Sequence, residues 1–412
     1  MSIFAPSRMF TVLIACVLLC GVGLTPALAN CLGDFNGDYA IDLSDLAHLL
    51  GSYGLTSGAT YEQGDMDDDG DIDLGDLAYL LGLYGTFCPA PEGMVMVPGG
   101  TFAMGNPWSE GDDNEKPVHD VHLSLYYIDK YEVTNQLYAD ALNWAYAQGE
   151  LITVTDGVVY KYNSGMSYPY CDTTSSCSYS RITWNGSAFG VTPGKESHPM
   201  AMVSWYGSIA FCNWRSAMEG KPPCYDLSTW TCNYGGGYRL PTEAEWEKAA
   251  GWDPVQQRHF RFGEHSDGCG YDCLDGQRAN YRNSGDPYDV NSSSHYPETT
   301  PIGFYSGDLH YKADFGWPGS ATSYQTQNAQ SYYGCRDMSG NVWEWCHDWY
   351  LSTYYSSSPG SNPTGPGSGT YRILRGGCWS WYTHNCRSAF RGWSNPDDLL
   401  YHAGFRCVAG IP

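Results

Sequence analysis

Residues 334–346 read GCRDMSGNVWEWC, and three short blocks follow in order: RILRGGCW at 372–379, CRSAFR at 386–391 and GFRC at 404–407. Glycines stand beside tryptophans and cysteines in each block, so tight backbone turns, large buried rings and candidate crosslinks are specified together. Four such blocks in fixed order describe a loop-rich domain rather than a regular helical or sheet repeat.

Working outward, MVMVPGGTFAMG at 94–105 alternates as a strand broken by Pro98-Gly99-Gly100, and Leu123–Ile128 is a second strand candidate. Thr134 is placed to cap a helix through about Tyr146, and Ser204 another through about Ala217. Thr242 with Glu245 forms a capping box for a third helix, Glu243–Ala250. The intervening sequence is rich in Gly, Ser, Asn and Tyr. A domain so poor in regular structure needs metals or disulfides to hold it.

These blocks, with YYIDKYEVTNQLY at 126–138, MVSWYGSIAFCNW at 202–214 and RLPTEAEWEKA at 239–249, resemble the formylglycine-generating enzyme family, the sulfatase-modifying factor domain. The resemblance covers residues 94–411 and implies an α+β, loop-rich fold related to that of C-type lectins. It also implies two calcium sites. One takes the Asp337 and Glu344 carboxylates with the Gly340 and Val342 carbonyls. The other takes Asn280 and Asp286 with the Tyr281 and Tyr288 carbonyls. By the same resemblance Cys212 meets Cys407. Cys346 with Cys386, Cys335 with Cys378, and Cys31 with Cys88 are further disulfide candidates, and Cys171–Cys177, Cys224–Cys232 and Cys269–Cys273 are candidate local clasps.

The family enzymes use oxygen and Cu(I), a soft ion held by thiolates, to convert a substrate cysteine to formylglycine. Their two cysteines lie five positions apart, a few residues after an RGGS segment. Here RGG is followed directly by Cys378, and the next cysteine, Cys386, is eight positions on. Two function classes follow. One is a ligand-binding or structural variant without the standard copper pair, with the aromatic Trp379–Tyr382 loop available to a peptide or glycan. The other is an active oxidase with Cys378 and Cys386 as a rearranged catalytic pair. No helical HxxxH metal motif, nucleophile elbow or phosphate loop supports another enzyme class.

The N-terminal part has its own pattern. DFNGDYAIDLSD at 34–45 recurs as DMDDDGDIDLGD at 65–76, each followed by DLA-x-LLG-x-YG. An EF-hand-like calcium loop needs oxygen ligands at positions 1, 3, 5, 7, 9 and 12. The first loop supplies Asp34, Asn36, Asp38, the Ala40 carbonyl, Asp42 and Asp45; the second supplies Asp65, Asp67, Asp69, the Asp71 carbonyl, Asp73 and Asp76. One helix after each loop, and Asp at position 12, resemble a dockerin module, whose partners are cohesin-like or cell-surface proteins. The fold class is therefore α+β with a small all-α calcium module ahead of it.

Arg8, the apolar run Phe10–Leu24 and Ala27-Leu28-Ala29 read as a signal peptide over residues 1–29. Residues 30–88 then form the duplicated module, 89–93 a linker, and 94–411 the large domain. Loss of Cys16 and Cys20 with the signal leaves fourteen of the sixteen cysteines, an even number suited to an oxidising, extracytoplasmic setting. No later stretch is apolar enough to span a bilayer, and a formal charge of −24 argues against nucleic acid as a partner.

Overall fold

Pro98 and Gly99 do more than interrupt a strand. In the computed structural model, which describes residues 33–35, 40–67, 69–86, 90–234, 236–263, 274–289 and 299–410, they divide the apolar run between two sheets. Met94–Val97 pairs with Tyr126–Asp129, whereas Gly100–Met104 turns away to pair with His119–Leu123. The expected strand Leu123–Ile128 is thus two strands, broken at Ser124-Leu125 where the chain passes between sheets. The Asn362 carboxamide fixes that break by accepting the Ser124 N–H at 2.9 Å.

Two four-stranded sheets organise the large domain. In the first, the order is Met94–Val97, Tyr126–Asp129, Val408–Ala409, Tyr238–Arg239, all antiparallel, so the last strand of the chain is an interior one. The second sheet runs Gly392–Ser394, Arg372–Arg375, Trp343–Trp349, Ala403–Gly404, its final pair parallel. Alternation along Trp343–Trp349 divides the core. Trp343 and Trp345 enter a cluster with Trp205, Phe211 and Phe405, while Cys346 enters another with Tyr126, Trp246 and Ile373.

Helices α1 (Leu43–Ser52), α2 (Leu74–Leu83), α3 (Asn135–Ala147), α4 (Trp205–Met218) and α5 (Glu243–Gly251) begin where their caps place them. Thr134 and Ser204 accept N–H bonds from Leu137 and Gly207, and Thr242 and Glu245 close a reciprocal capping box. Helices α1 and α2 repeat each other: Asp42 and Asp73 are N-caps, and Asp45 and Asp76 return the bond to the cap backbone. Ile41, Leu49, Ile72 and Leu80 close a small core of their own.

What holds the loops of the large domain is a set of buried arginines. Arg239 clamps Glu245 with two 2.7 Å bonds, Arg406 clamps Glu344, Arg387 clamps Glu115, and Arg375 and Arg391 share Glu243. Arg372 lies between the Trp205 and Trp349 rings, 3.6 and 3.5 Å from their centroids. Apart from the local Arg239–Glu245 clamp, these pairs tie residues far apart in sequence, Glu115 to Arg387 for example, and so substitute for regular secondary structure.

The signal segment, Cys31, Asn36, Asp38, Cys88, Cys269 and Cys273 lie outside the described residues. Among the described residues no helix is long and apolar enough to cross a membrane.

Candidate functional site

The segment 337–344 makes a tight turn before entering its strand. Asp337 adopts φ 58°, Gly340 φ 87° and Asn341 φ 54°. A side chain at Gly340 would stand 2.2 Å from the Asn280 carbonyl, so the loop lies directly on residue 280. Asp337 is buried and accepts the Gly303 N–H at 2.7 Å; burial pushes its carboxyl up to about 6.

Glu344 was expected beside Asp337 as a calcium ligand. Both its oxygens are already held, by Arg406 at 2.7 and 2.6 Å and by the Trp246 Nε1 at 2.8 Å. The carboxylate that instead shares the pocket is Glu132, which the sequence reading missed. Glu132 is fully buried and accepts Asn341 Nδ2 at 2.8 Å and the Val342 N–H at 3.3 Å. Burial, then the charges of Asp337 and Glu344, push its carboxyl well above the usual range. Glu132 and Asp337 are thus two buried acids, with the charge of Asp337 felt at Glu132. The only early hint of Glu132 was its place in YEVTN, next to the helix cap.

Asn280, Tyr281, Asp286 and Tyr288 are all buried. Asp286 accepts bonds from Ser284 Oγ at 2.6 Å, the Tyr288 N–H at 2.7 Å and Tyr305 Oη at 3.2 Å, and burial pushes it up to about 6.

In the duplicated loops, Asp45 and Asp76 fold back as position 12 should. Asp76 accepts the Met66 and Asp73 N–H groups, and Asp45 those of Phe35 and Asp42. Ligand oxygens of Asp65, Asp67 and Asp76 lie within 4.8 Å of one another, as do those of Asp71, Asp73 and Asp76. Asp65 Oδ1 and Asp71 Oδ1 are buried with no hydrogen-bond partner, an arrangement that fits a cation. Asp71 offers its side chain here, where only its carbonyl was expected. Asp34, Ala40 and Asp42 are described for the first loop, and Asp69 for the second.

The cysteines of the later sequence blocks are buried. Cys335, Cys346 and Cys378 are thiols. Cys335 and Cys346 share the Tyr126–Trp246 cluster, Cys378 faces the Trp205–Trp345 cluster, and Cys386 faces Phe262 and Tyr281. Cys335 and Cys346 thus share one core, while Cys378 and Cys386 each pack in another. Cys212 and Cys407 have sulfurs 3.6 Å apart. Cys378 Sγ contacts Ser380 Oγ at 3.2 Å, and burial pushes its thiol up to about 12. Cys386 Sγ donates to the Tyr382 carbonyl and lies against Gly377, where an added Cβ would be 2.7 Å from it. Cys171 and Cys177 are thiols as well, and Cys232 is paired in register with Tyr225, next to Cys224.

Beside Cys378 the second sheet opens into a cleft of about 420 Å³, lined by Trp343, Trp381, Phe390 and Trp393 with Asp112, Asn114 and His402. Of the lining aromatic residues, sequence had singled out only Trp381, within the 379–382 loop. A second cavity, about 410 Å³, is lined by Leu137, Phe211 and Met218 around Asp129 and Arg215.

A family model described as "Sulfatase-modifying factor enzyme 1-like domain" matches residues 83–411. The chain belongs to that family. It is 30% identical to the formylglycine-generating enzyme of Streptomyces coelicolor over 335 residues, covering 77% of this chain and 88% of that protein. A serine/threonine-protein kinase pkn1 of Chlamydia caviae is 29% identical over 77% of this chain, which spans only 38% of the kinase. Among solved structures, Treponema denticola variable protein 1 superposes with TM-score 0.47 at 23% identity, over 77% of this chain and 94% of that one. Within the sulfatase-modifying factor family, then, this chain has a mixed α+β domain whose two cysteines after RGG face different cores.

Proposed function

We propose that this is an exported, calcium-binding modular protein whose sulfatase-modifying factor domain binds a ligand rather than oxidising one. The observation that carries the reading is the separation of Cys378 and Cys386 into different buried clusters. A Cu(I) site needs two thiolates converging on one point. Packing of Cys378 with the Trp205–Trp345 core and of Cys386 with Phe262 and Tyr281 supports the ligand-binding reading, and no oxidative step is derived through them. His384 lies against Tyr382 and Phe390 and adds no ligand there. The cleft of Trp343, Trp381 and Trp393 beside Cys378 is the natural ligand site.

The N-terminal repeat is proposed as a dockerin-like calcium module over residues 30–88, followed by a linker at 89–93. Asp65, Asp67, Asp73 and Asp76, with Asp71, would hold one ion, and the first loop a second. The orphaned Asp65 and Asp71 oxygens support this. Exposed Leu43, Leu50, Leu74 and Leu81 on the two helices suit a cohesin-like or cell-surface partner. In the large domain Glu132 and Asp337 are the proposed charged calcium ligands, with Asn280 and Asp286 at the second site.

The test is direct. The full chain is incubated with Cu(I), oxygen and a Cys-x-Pro-x-Arg peptide, and aldehyde formation is read by mass. No turnover is expected. Aldehyde that disappears in Cys378→Ser and Cys386→Ser would establish the oxidase reading instead.

A further inference from the structure

We infer that the cleft on the second sheet is a binding site for a neutral carbohydrate. This rests on the ligand-binding reading above and names its ligand class. Its floor is apolar and rigid. Trp343 is buried, with Trp381 and Phe390 rings 5.9 and 5.8 Å from its centroid. Gly392 keeps that floor open, because a Cβ there would stand 3.1 Å from the Trp343 ring. At the mouth Trp381 and Trp393 are 45% and 47% exposed, an unusual cost for two indoles at one opening. Trp393 is nonetheless held, its ring tilted against Tyr371 at 4.3 Å and Tyr350 at 5.7 Å between centroids. Flat, fixed, exposed indoles match the C–H faces of a pyranose ring.

The polar wall points the same way. Asn114 donates through Nδ2 to Tyr350 Oη at 2.9 Å, but its Oδ1 has no partner. His402 Nδ1 is likewise orphaned, and burial lowers its imidazole to about 4, so the ring is neutral. The polar side chains this wall contributes beside the aromatic floor are therefore largely neutral, an amide and an uncharged imidazole. Hydroxyl groups match such a wall, both donating and accepting.

Charge excludes the obvious competitors. Arg391 is the one cation among the described lining residues, and each of its nitrogens is engaged: by Glu243 at 2.7 and 2.9 Å and by the carbonyls of Asn114 and Leu351. The described cleft wall thus offers no unpaired cation to a sulfate, phosphate or carboxylate, and the exposed Asp112 repels them. A volume of about 420 Å³ suits one or two sugar rings.

The experiment is isothermal titration of the full chain, in calcium, with cellobiose, maltose and N,N′-diacetylchitobiose, alongside a sulfated disaccharide and the Cys-x-Pro-x-Arg peptide. At least one neutral disaccharide is expected to saturate a single site, with the sulfated one bound weakly or not at all. Trp393→Ala and Trp381→Ala should each weaken it about tenfold. Trp393→Phe should recover part of the loss, and Met218→Ala, in the other cavity, should change nothing. Unchanged melting temperature in each variant separates lost contacts from lost fold. Failure of all three neutral sugars, or binding indifferent to Trp393→Ala, overturns the inference. Peptide binding that Trp393→Ala abolishes, with no sugar bound, overturns the carbohydrate class while leaving the ligand-binding reading standing. Peptide oxidation to the aldehyde overturns both.

Discussion

Replacing Arg406 with Ala should be among the most damaging single changes in the large domain. Arg406 is fully buried and spends its donors on Glu344 and on the carbonyls of Asp129, Lys130 and Arg336. Its removal leaves Glu344 with the Trp246 indole alone, while Asp337 and Glu132 remain close by as acids. An uncompensated buried charge costs about 3–5 kcal/mol. For a domain of this size that lowers the melting midpoint on the order of 10 °C. The assay is differential scanning calorimetry in chelator and again in calcium. The paired variant Arg406→Met with Glu344→Leu should recover much of the loss, since it removes the orphaned charge as well as its partner. If Arg406→Ala melts within about 1 kcal/mol of the parent, the clamp is not what secures this strand. If the paired variant is worse than the single one, packing rather than charge pairing is at stake.

Three further outcomes follow from the same coordinates. Chelation should unfold helices α1 and α2 while leaving the large domain melting separately, and Asp76→Ala should remove one calcium equivalent by titration; helicity unchanged by chelator would contradict the assignment. The Asp337 carboxyl is raised to about 6 by burial, against about 3.9 in an unfolded chain. The native state therefore holds the extra proton between those values, and stability falls as pH rises through that window. Without calcium, Asp337→Asn should gain on the parent by up to about 3 kcal/mol from pH 4 to pH 7, seen as diverging melting curves. Parallel curves would refute it. Gly340→Ala combines an unfavourable positive φ with a Cβ 2.2 Å from the Asn280 carbonyl. A loss of at least about 2 kcal/mol is expected, measured by thermal unfolding.

The helices were legible in the sequence because caps are local. Thr134, Ser204 and the Thr242–Glu245 box mark their starts within one turn of chain. The α+β character was legible for the same reason, although the break at Ser124-Leu125 was not: it is imposed by Asn362, some 238 residues away. The same limit applies to the site. Asp337 stands in a recognisable motif, but Glu132 joins it only through tertiary folding, and Glu344 turns out to be committed to Arg406. The division of the core was hidden too: alternation sends Trp345 and Cys346 to opposite faces of one strand. Periodicity would have signalled that, had the strand's register been known. The cleft was half-visible, as an aromatic loop at 379–382. Its polar wall, assembled from residues 112, 114 and 402, carries no local signature.

The strand Val408–Ala409 lies between Tyr126–Asp129 and Tyr238–Arg239 in the first sheet. Two stretches made earlier in synthesis thus share no hydrogen bonds with each other and are joined only when the later Val408–Ala409 slides between them. Neighbouring Arg406 and Cys407 deliver the Glu344 clamp and the Cys212 contact at the same late moment. A nascent domain therefore cannot close its first sheet by stages; that sheet stays unjoined until residues 406–409 are free, so the lock is cut into the segment of the domain that arrives last.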